Sequence, residues 1–327
     1  MRRRGEERCC RSQWRLIFCV NTLRTAATRV IPLCGAAGWW VVLLCLLPSL
    51  GLYALGRWGL KRRGSTCLHG KAIVCSVALV CLAVDGISSM TALGALFTEG
   101  AGTPGTQFTL ALVAAGMMLF ALNREGLARG IYMVRRLMLG ALALVLVSYG
   151  TRARVDHLFP VLGGGWADVR SGLMAGAGMG WPLLLALLEP PVSRCGAGDV
   201  LPPALVCVVA ALCLCLCIPH EVLVTRQSLG DTLVQTVAHL SPFVRLVAIC
   251  LWMSGLFLSM TSVCSLGGEL LLAPWGLRLP WIAGAVTLLL AGTQLLPLQG
   301  LWGGLQWAEP AVLLGLCLCS LLCWRKK

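Results

Sequence analysis

The sequence predicts an all-α polytopic membrane protein with about ten transmembrane helices. Of its 327 residues, 58% are hydrophobic and only 12% are charged, and the mean hydropathy is +0.83. A water-soluble domain cannot bury that much apolar surface, so the bilayer must be part of its solvent. A membrane-spanning helix needs about 20 mostly apolar residues. Ten stretches meet this condition, at about 13–32, 35–56, 72–97, 106–122, 131–149, 171–188, 200–219, 242–266, 276–296 and 305–324. We therefore expect one domain over residues 1–327, in which a basic flank (1–12) precedes a ten-helix bundle (13–324).

The charges between the spans predict the topology. The net charge is +14, but the basic residues flank spans and form no separate basic domain, so we expect no nucleic-acid partner. Basic residues are retained on the cytoplasmic side. Both termini are therefore placed in the cytoplasm, because the positive charge is concentrated in the N-terminal flank, the segment 57–71, the entry to the fifth span and the tail 325–327.

The N-terminal segment and the many cysteines each suggest a feature that we do not expect this chain to have. The first apolar stretch carries Arg24 and Arg29 and lacks a clear small-residue cleavage site, so we expect no cleavable signal peptide. Most of the 18 cysteines lie inside spans. In the run Cys213, Cys215 and Cys217, helical residues i and i+2 point apart, so these thiols are expected to serve as small apolar side chains and not as a metal site.

Spans one and six are the expected places for helix breaks. Ten spans are compatible with a 5+5 inverted repeat, in which the first helix of each half is interrupted near the bilayer midplane. In span six, Gly176, Gly178, Gly180 and Pro182 crowd the middle of a membrane segment. Glycine and proline both weaken a helix interior, which favours a broken helix. The alternative is close helix packing through small residues.

Span one, residues 13–32, is the least hydrophobic of the ten. An arginine at mid-bilayer costs about 2.5–3.5 kcal/mol on insertion scales, so Arg24 should face the interior of the bundle. A helix lying on the membrane surface is the alternative, but it would move the N-terminal arginines to the wrong side unless a second span were also lost.

Span three carries the only acidic residue deep within a span, Asp85, with Ser88 one turn further on. An intramembrane carboxylate is a candidate functional group, and Arg24 is its most plausible partner. A purely structural Asp–Arg pair is the equal alternative. The sequence lacks the common motifs of nucleotide-binding proteins, zinc proteases and serine hydrolases. We therefore expect that the protein is not an enzyme, has no catalytic residues and binds no metal or cofactor.

Several motifs resemble those of endospore germination permeases. The stretch Asp156–Gly172, which reads DHLFPVLGGGWADVRSG, resembles the family's "N-L-L-P-(L/V)-L-G-x-G" loop before span six. The segment from Asn123 to Arg129 resembles its "G-x-E-x-x-A-R" turn, and Phe243–Trp252 resembles its entry to span eight. The loop motif is the most specific of the three, and the similarity covers the chain from about residue 13 to its end.

The resemblance implies the B subunit of a spore nutrient germinant receptor, in the amino acid/polyamine/organocation superfamily. Such a subunit would lie in the spore inner membrane of a bacterium, with receptor A and C subunits, membrane lipid and an amino-acid-like nutrient as partners. The implied pocket lies among spans 1, 3, 6 and 8 and triggers germination when it is filled. The candidate ligand-binding residues are Asn21, Thr22, Arg24, Thr25, Asp85, Ser88, Gly176, Gly178, Met179 and Gly180.

The sequence also departs from the family pattern. Asn21–Thr25 stands where a Gly-rich break is usual, and Pro182 and Tyr132 stand at positions that are commonly acidic. These changes suggest a different nutrient or a divergent copy, and the two arginines of span one favour an anionic group such as a carboxylate. Two other functions share the fold: a secondary transporter of amino acids or related organic ions, and a structural membrane protein.

Overall fold

The computed structural model describes residues 15–63, 124–151, 153–177, 179, 197–224 and 241–272. Within these ranges all regular structure is helical. Helix α1 covers residues 15–25 and continues through a π-helical turn, Ala26–Val30, into α2. The other elements are α2 (Ile31–Cys34), a 3₁₀ turn (Gly35–Ala37), α3 (Gly38–Arg63), α4 (Arg124–Gly150), a 3₁₀ turn (Val155–Leu158), α5 (Trp166–Gly176), α6 (Ala197–Cys217), α7 (His220–Val224) and α8 (Pro242–Leu272).

The first two predicted spans form a helical hairpin. The chain reverses at Gly35, whose φ of 54° and ψ of −123° suit glycine but few other residues. A β-carbon built on Gly176 would lie 3.1 Å from Val30 Cγ2 and 3.2 Å from Cys45 Cβ. In one straight helix those two residues would be about 22 Å apart. Both can reach Gly176 only because α3 folds back along the segment before it.

Helix α5 packs into this hairpin through two glycines one turn apart. Gly172 faces Cys34 and Val41, near the tip of the hairpin, while Gly176 faces Val30 and Cys45, one turn deeper. The absence of side chains at i and i+4 lets the backbone of α5 approach closely, which is the small-xxx-small contact of membrane helices. Buried sulfurs fill the interface, since Cys34 Sγ lies 3.4 Å from the Asp168 carbonyl oxygen.

Three connections lie together at one end of the bundle. Trp40 of α3 donates a hydrogen bond of 3.0 Å from its Nε1 to the carbonyl oxygen of Val161, which lies in the loop before α5. The Ala36 amide, at the tip of the hairpin, donates to His220 Nδ1 at 3.1 Å. The Arg154 amide donates to the carbonyl oxygen of Leu216, at the end of α6, at 3.1 Å. These contacts place the three connections at one end of the described bundle.

The described segments alternate in direction. Segment 15–34, α4 and α6 run toward the hairpin tip, while α3, α5 and α8 run away from it. Cys19 and Cys207 lie at one level, with their sulfurs 3.8 Å apart, and Cys215 Sγ reaches the Gly35 carbonyl oxygen nearer the tip. The alternation expected for consecutive membrane segments is therefore present in this part of the chain.

Among the described residues, three helical stretches are long and apolar enough to cross a membrane: Arg15–Gly51, Val200–Cys217 and Pro242–Ser259. The first of them contains the reversal at Gly35. The chain is thus a membrane protein whose described part is all-helical. The predicted spans at 72–97, 106–122, 276–296 and 305–324 lie outside the described residues, so the count of ten and the inverted repeat stay predictions.

Candidate functional site

Four of the predicted ligand-binding residues form a buried polar stretch in α1. The side chains of Asn21, Thr22, Arg24 and Thr25 are between 0% and 3% exposed. Arg24 Nη2 donates a hydrogen bond to Asn21 Oδ1, one turn earlier in the helix. The expectation that Arg24 faces the interior of the bundle is confirmed. The amide oxygen of Asn21 satisfies one donor of this buried side chain, as burial of a polar group requires.

The expected interruption of span one has a different form from the one predicted. Residues 15–34 are helical throughout, so the unwound backbone expected in this segment is absent. The helix instead widens into the π-helical turn Ala26–Val30, in which the Ile31 amide donates to the Ala26 carbonyl oxygen. Pro32 explains the change: it lacks the N–H that would bond to Thr28, and its ring crowds that carbonyl group. The Thr28 hydroxyl also donates to the Arg24 carbonyl oxygen, at 2.8 Å.

Helix α5 ends inside the predicted sixth span. Its last residue is Gly176, and the Met179 amide donates to the Gly176 carbonyl oxygen at 3.0 Å in the turn that follows. At the same time, Gly172 and Gly176 make the close helix contact that was the alternative reading of these glycines. The end of the helix and the close glycine contact are therefore both present in the part of the segment that the structure describes.

The end of α5 lies against the π-helical turn. Gly176 contacts Val30, and Met179 is fully buried in the same apolar cluster as Phe18 and Ala26. The two departures from regular α-helix, in segments one and six, are thus neighbours, next to the buried Arg24. Gly178 and Gly180 of the predicted site lie outside the described residues, as do Asp85 and Ser88 of span three.

The cysteines of α6 point to different neighbours, as the spacing predicted. Cys215 is buried, with its sulfur 3.7 Å from the Gly35 carbonyl oxygen. Cys217 lies against α4, with its sulfur 3.4 Å from the Tyr149 carbonyl oxygen. Both thiols are reduced, and they face opposite sides of the helix.

A second feature of the site region was not predicted. A cavity of about 410 Å³ lies on the other face of α1, between α4, α6 and α8. Of the ten predicted ligand-binding residues, the six that the structure describes do not line it. Its wall includes Cys19, Val20 and Leu23 from α1, which alternate with the buried polar residues at helical spacing. Helix α1 therefore separates a polar, tightly packed region from an apolar cavity.

Sequence reasoning also missed the residues that hold the site in place. Cys34 and Cys45 fill the space above the two α5 glycines. Their signal in the sequence was the spacing Gly172-x-x-x-Gly176, which marks a close helix contact but does not name the partner helix.

Comparison of the chain with protein-family models and with curated proteins finds no match.

Proposed function

We propose that the chain is a permease-like subunit that binds a small anionic nutrient, such as an amino acid, beside Arg24. One observation supports this most strongly: the π-helical turn of the first segment lies against the end of α5, next to four buried polar side chains. Helix irregularities inside a membrane protein leave peptide groups that lipid cannot satisfy, so they belong next to protein, water or ligand.

The charge of Arg24 indicates the chemistry of the ligand. A buried guanidinium has five N–H donors in a planar fork, and a carboxylate can accept two of them side by side. Asn21 accepts from one edge of the group. A carboxylate-bearing solute would extend this polar arrangement, with Thr25 within one helical turn.

The more specific proposal is the B subunit of a spore germinant receptor, in the spore inner membrane. It rests on the motif over Asp156–Gly172. This segment covers the hairpin tip, since Gly163 approaches the Cys34 carbonyl oxygen closely, and it leads directly into α5. A change in this loop would therefore be transmitted to the helix that ends beside the π-helical turn. Receptor A and C subunits are the partners that this proposal requires.

Binding is tested with the purified chain in neutral detergent, titrated with single amino acids and followed by thermal stability. We expect at least one amino acid to raise the unfolding temperature, and Arg24→Gln to weaken its affinity about tenfold or more, because hydrogen bonds to a charged group contribute about 1.5–3 kcal/mol. Arg170→Gln, the same change at an exposed position of α5, is the matched control. Equal affinities in the two variants would exclude Arg24 from the site.

The biological role needs two further experiments. In a sporulating host, spores carrying Gly178→Leu should insert the protein normally but show a shifted dose–response to the nutrient, and the chain should co-purify with A and C subunits. If vesicles containing only this chain accumulate labelled amino acid, and Asp85→Asn abolishes uptake, the protein is a secondary transporter and not a receptor subunit. If no small solute binds in any assay, the structural role remains.

A further inference from the structure

The loop between α4 and α5, together with the first residue of α5, exposes large apolar side chains. Trp166 is 71% exposed and Phe159 is 62% exposed, and Val161 and Leu162 are exposed as well. We call these four side chains the apolar loop surface. Exposed apolar side chains are unfavourable in water, so a group of them in one connection indicates a surface that contacts another apolar phase or molecule.

The backbone of this loop is fixed against the hairpin tip. Trp40 Nε1 donates a hydrogen bond of 3.0 Å to the Val161 carbonyl oxygen. Within the loop, the Gly163 amide donates to the Pro160 carbonyl oxygen at 2.9 Å, and Gly163 also approaches the Cys34 carbonyl oxygen closely. The apolar loop surface therefore has a defined position relative to the first two helical segments.

The hairpin tip places this loop at the edge of the bilayer. Segment 15–34 is helical and about 30 Å long, at about 1.5 Å per residue, and the hydrocarbon core of a bilayer is also about 30 Å thick. Residues 30–56, which include the tip, contain no charged side chain, so the tip suits the boundary of the hydrocarbon core better than the aqueous phase. Because Gly163 lies on the tip, the loop belongs in the headgroup layer directly above it.

The apolar loop surface continues a lipid-facing stripe of α3. Leu43 and Leu47 are exposed, and they belong to the stretch Arg15–Gly51, which is apolar enough to cross a membrane. Trp40 precedes Leu43 and Leu47 on the same helical face, because residues three and four apart are neighbours on a helix. Its hydrogen bond to the Val161 carbonyl oxygen therefore joins the loop to the end of this stripe.

The exposed face of α5 shows the same transition from interface to lipid. Trp166, Arg170 and Met174 follow one another at four-residue intervals and are all exposed. Tryptophan is enriched where membrane meets water. The Arg170 side chain, one turn deeper, points back toward the start of the helix, so its guanidinium can reach the lipid phosphates. Met174 lies between Gly172 and Gly176, which pack on the hairpin, and is therefore at the depth of the acyl chains.

We propose that the apolar loop surface inserts into the bilayer interface on the side of the hairpin tip, among the headgroups and the upper part of the acyl chains. Membrane lipid is the partner that these observations favour over a protein, because the surface continues a lipid-facing stripe and lies at headgroup depth. It uses none of the residues beside Arg24. The insertion of the loop and the binding of a nutrient can therefore each be refuted without the other.

Fluorescence quenching of Trp166 in nanodiscs tests the depth of the loop. The chain contains 12 tryptophans, so the emission of Trp166 is taken as the difference between wild type and Trp166→Phe. Phosphatidylcholine brominated near the headgroup end of its acyl chain should remove most of this emission. Bromine near the terminal methyl group, and acrylamide in the aqueous phase, should each remove little of it.

Charged substitutions test which side chains hold the loop in the interface. Phe159→Asp combined with Val161→Asp should reduce the quenching of Trp166 by the shallow bromolipid and increase its quenching by acrylamide, because a carboxylate is costly to remove from water. Ala153→Asp, at an exposed position of the same connection outside the apolar loop surface, is the matched control and should change neither. Circular dichroism should show equal helix content in all variants.

Two outcomes overturn the proposal. If acrylamide fully quenches Trp166 of the wild-type chain in nanodiscs and neither bromolipid does, the surface lies in water and is available to a protein partner. If the double variant is quenched like the wild type by both agents, the position of the loop does not depend on its apolar side chains.

Discussion

Substituting Gly176 with alanine tests the packing of α5 against the first hairpin. The added methyl group would lie 2.5 Å from Cys45 Sγ, closer than real β-carbons approach other atoms, and 3.1 Å from Val30 Cγ2, which is a tight contact. Sulfur on a short side chain has little room to move. Because overpacking of this kind costs about 1–3 kcal/mol, we expect Gly176→Ala to lower the free energy of unfolding by about that amount.

The same substitution at Gly140 provides the control. This glycine lies in the interior of α4, and a β-carbon on it would meet nothing within 4 Å. Gly140→Ala should therefore stabilise the protein, by up to about 1 kcal/mol, because alanine has the higher helix propensity. The same glycine-to-alanine substitution is thus expected to lower the free energy of unfolding at Gly176 and to raise it at Gly140.

Cys45→Ala should rescue the first variant. Alone it costs stability by leaving a small void, but the Gly176→Ala methyl group can enter that void in the double variant. The expected coupling energy is favourable and about 1–2 kcal/mol, within the range seen for contacting residues. Unfolding is followed by circular dichroism in mixed micelles as the fraction of denaturing detergent rises. Additive effects, with coupling below about 0.5 kcal/mol, would refute the contact, and Gly140→Ala should be additive with Cys45→Ala.

Three further predictions concern the same part of the chain. Gly35→Ala should destabilise the hairpin by about 1–3 kcal/mol through backbone strain alone, because its φ is positive, and its methyl group would also clash with the ring of His220. Adding His220→Ala should relieve only the clash, so full rescue of the unfolding temperature in the double variant would contradict the strain. Gly163→Ala should also lower the unfolding temperature, because its methyl group would meet a backbone carbonyl oxygen of the hairpin tip, which no side-chain rotation can move. Pro32→Ala should convert the π-helical turn to regular α-helix and weaken nutrient binding, which the amino-acid titration measures; unchanged affinity would remove the turn from the site.

The sequence predicted the membrane segments of this region well, because hydropathy over about 20 residues and loop charge are summed properties. The predicted spans at 13–32 and 200–219 correspond to helical residues 15–34 and Ala197–Cys217. It also identified Arg24 as an interior residue. The pairing of Arg24 with Asp85 stays a prediction, because Asp85 lies outside the described residues, and within them Asn21 accepts a hydrogen bond from Arg24. The contact with Asn21 was not predicted, because only charged partners of Arg24 were considered and a neutral acceptor one turn away in the same helix was not.

The form of the helix irregularity was less predictable. A glycine-rich motif would have indicated an unwound segment, and Asn21–Thr25 has no glycine. The structure keeps those residues helical and places the irregularity over Ala26–Val30, four to eight positions after Thr22 and just before Pro32. A single missing N–H is sufficient to displace one turn of the hydrogen-bond ladder. The sequence contains this information, but tertiary packing decides whether proline kinks, ends or widens a helix.

The cavity illustrates what hydropathy cannot show. Its walls come from four segments that are distant in the chain, and nearly all of its residues have the same apolar character that any lipid-facing or packed position would have. Arg15 and Arg135 were assigned to cytoplasmic flanks by the charge rule. Both residues line the cavity, at its end away from the hairpin tip. Hydropathy and charge assign each residue to a span or a flank, but the packing of neighbouring helices decides whether an apolar space lies beside it.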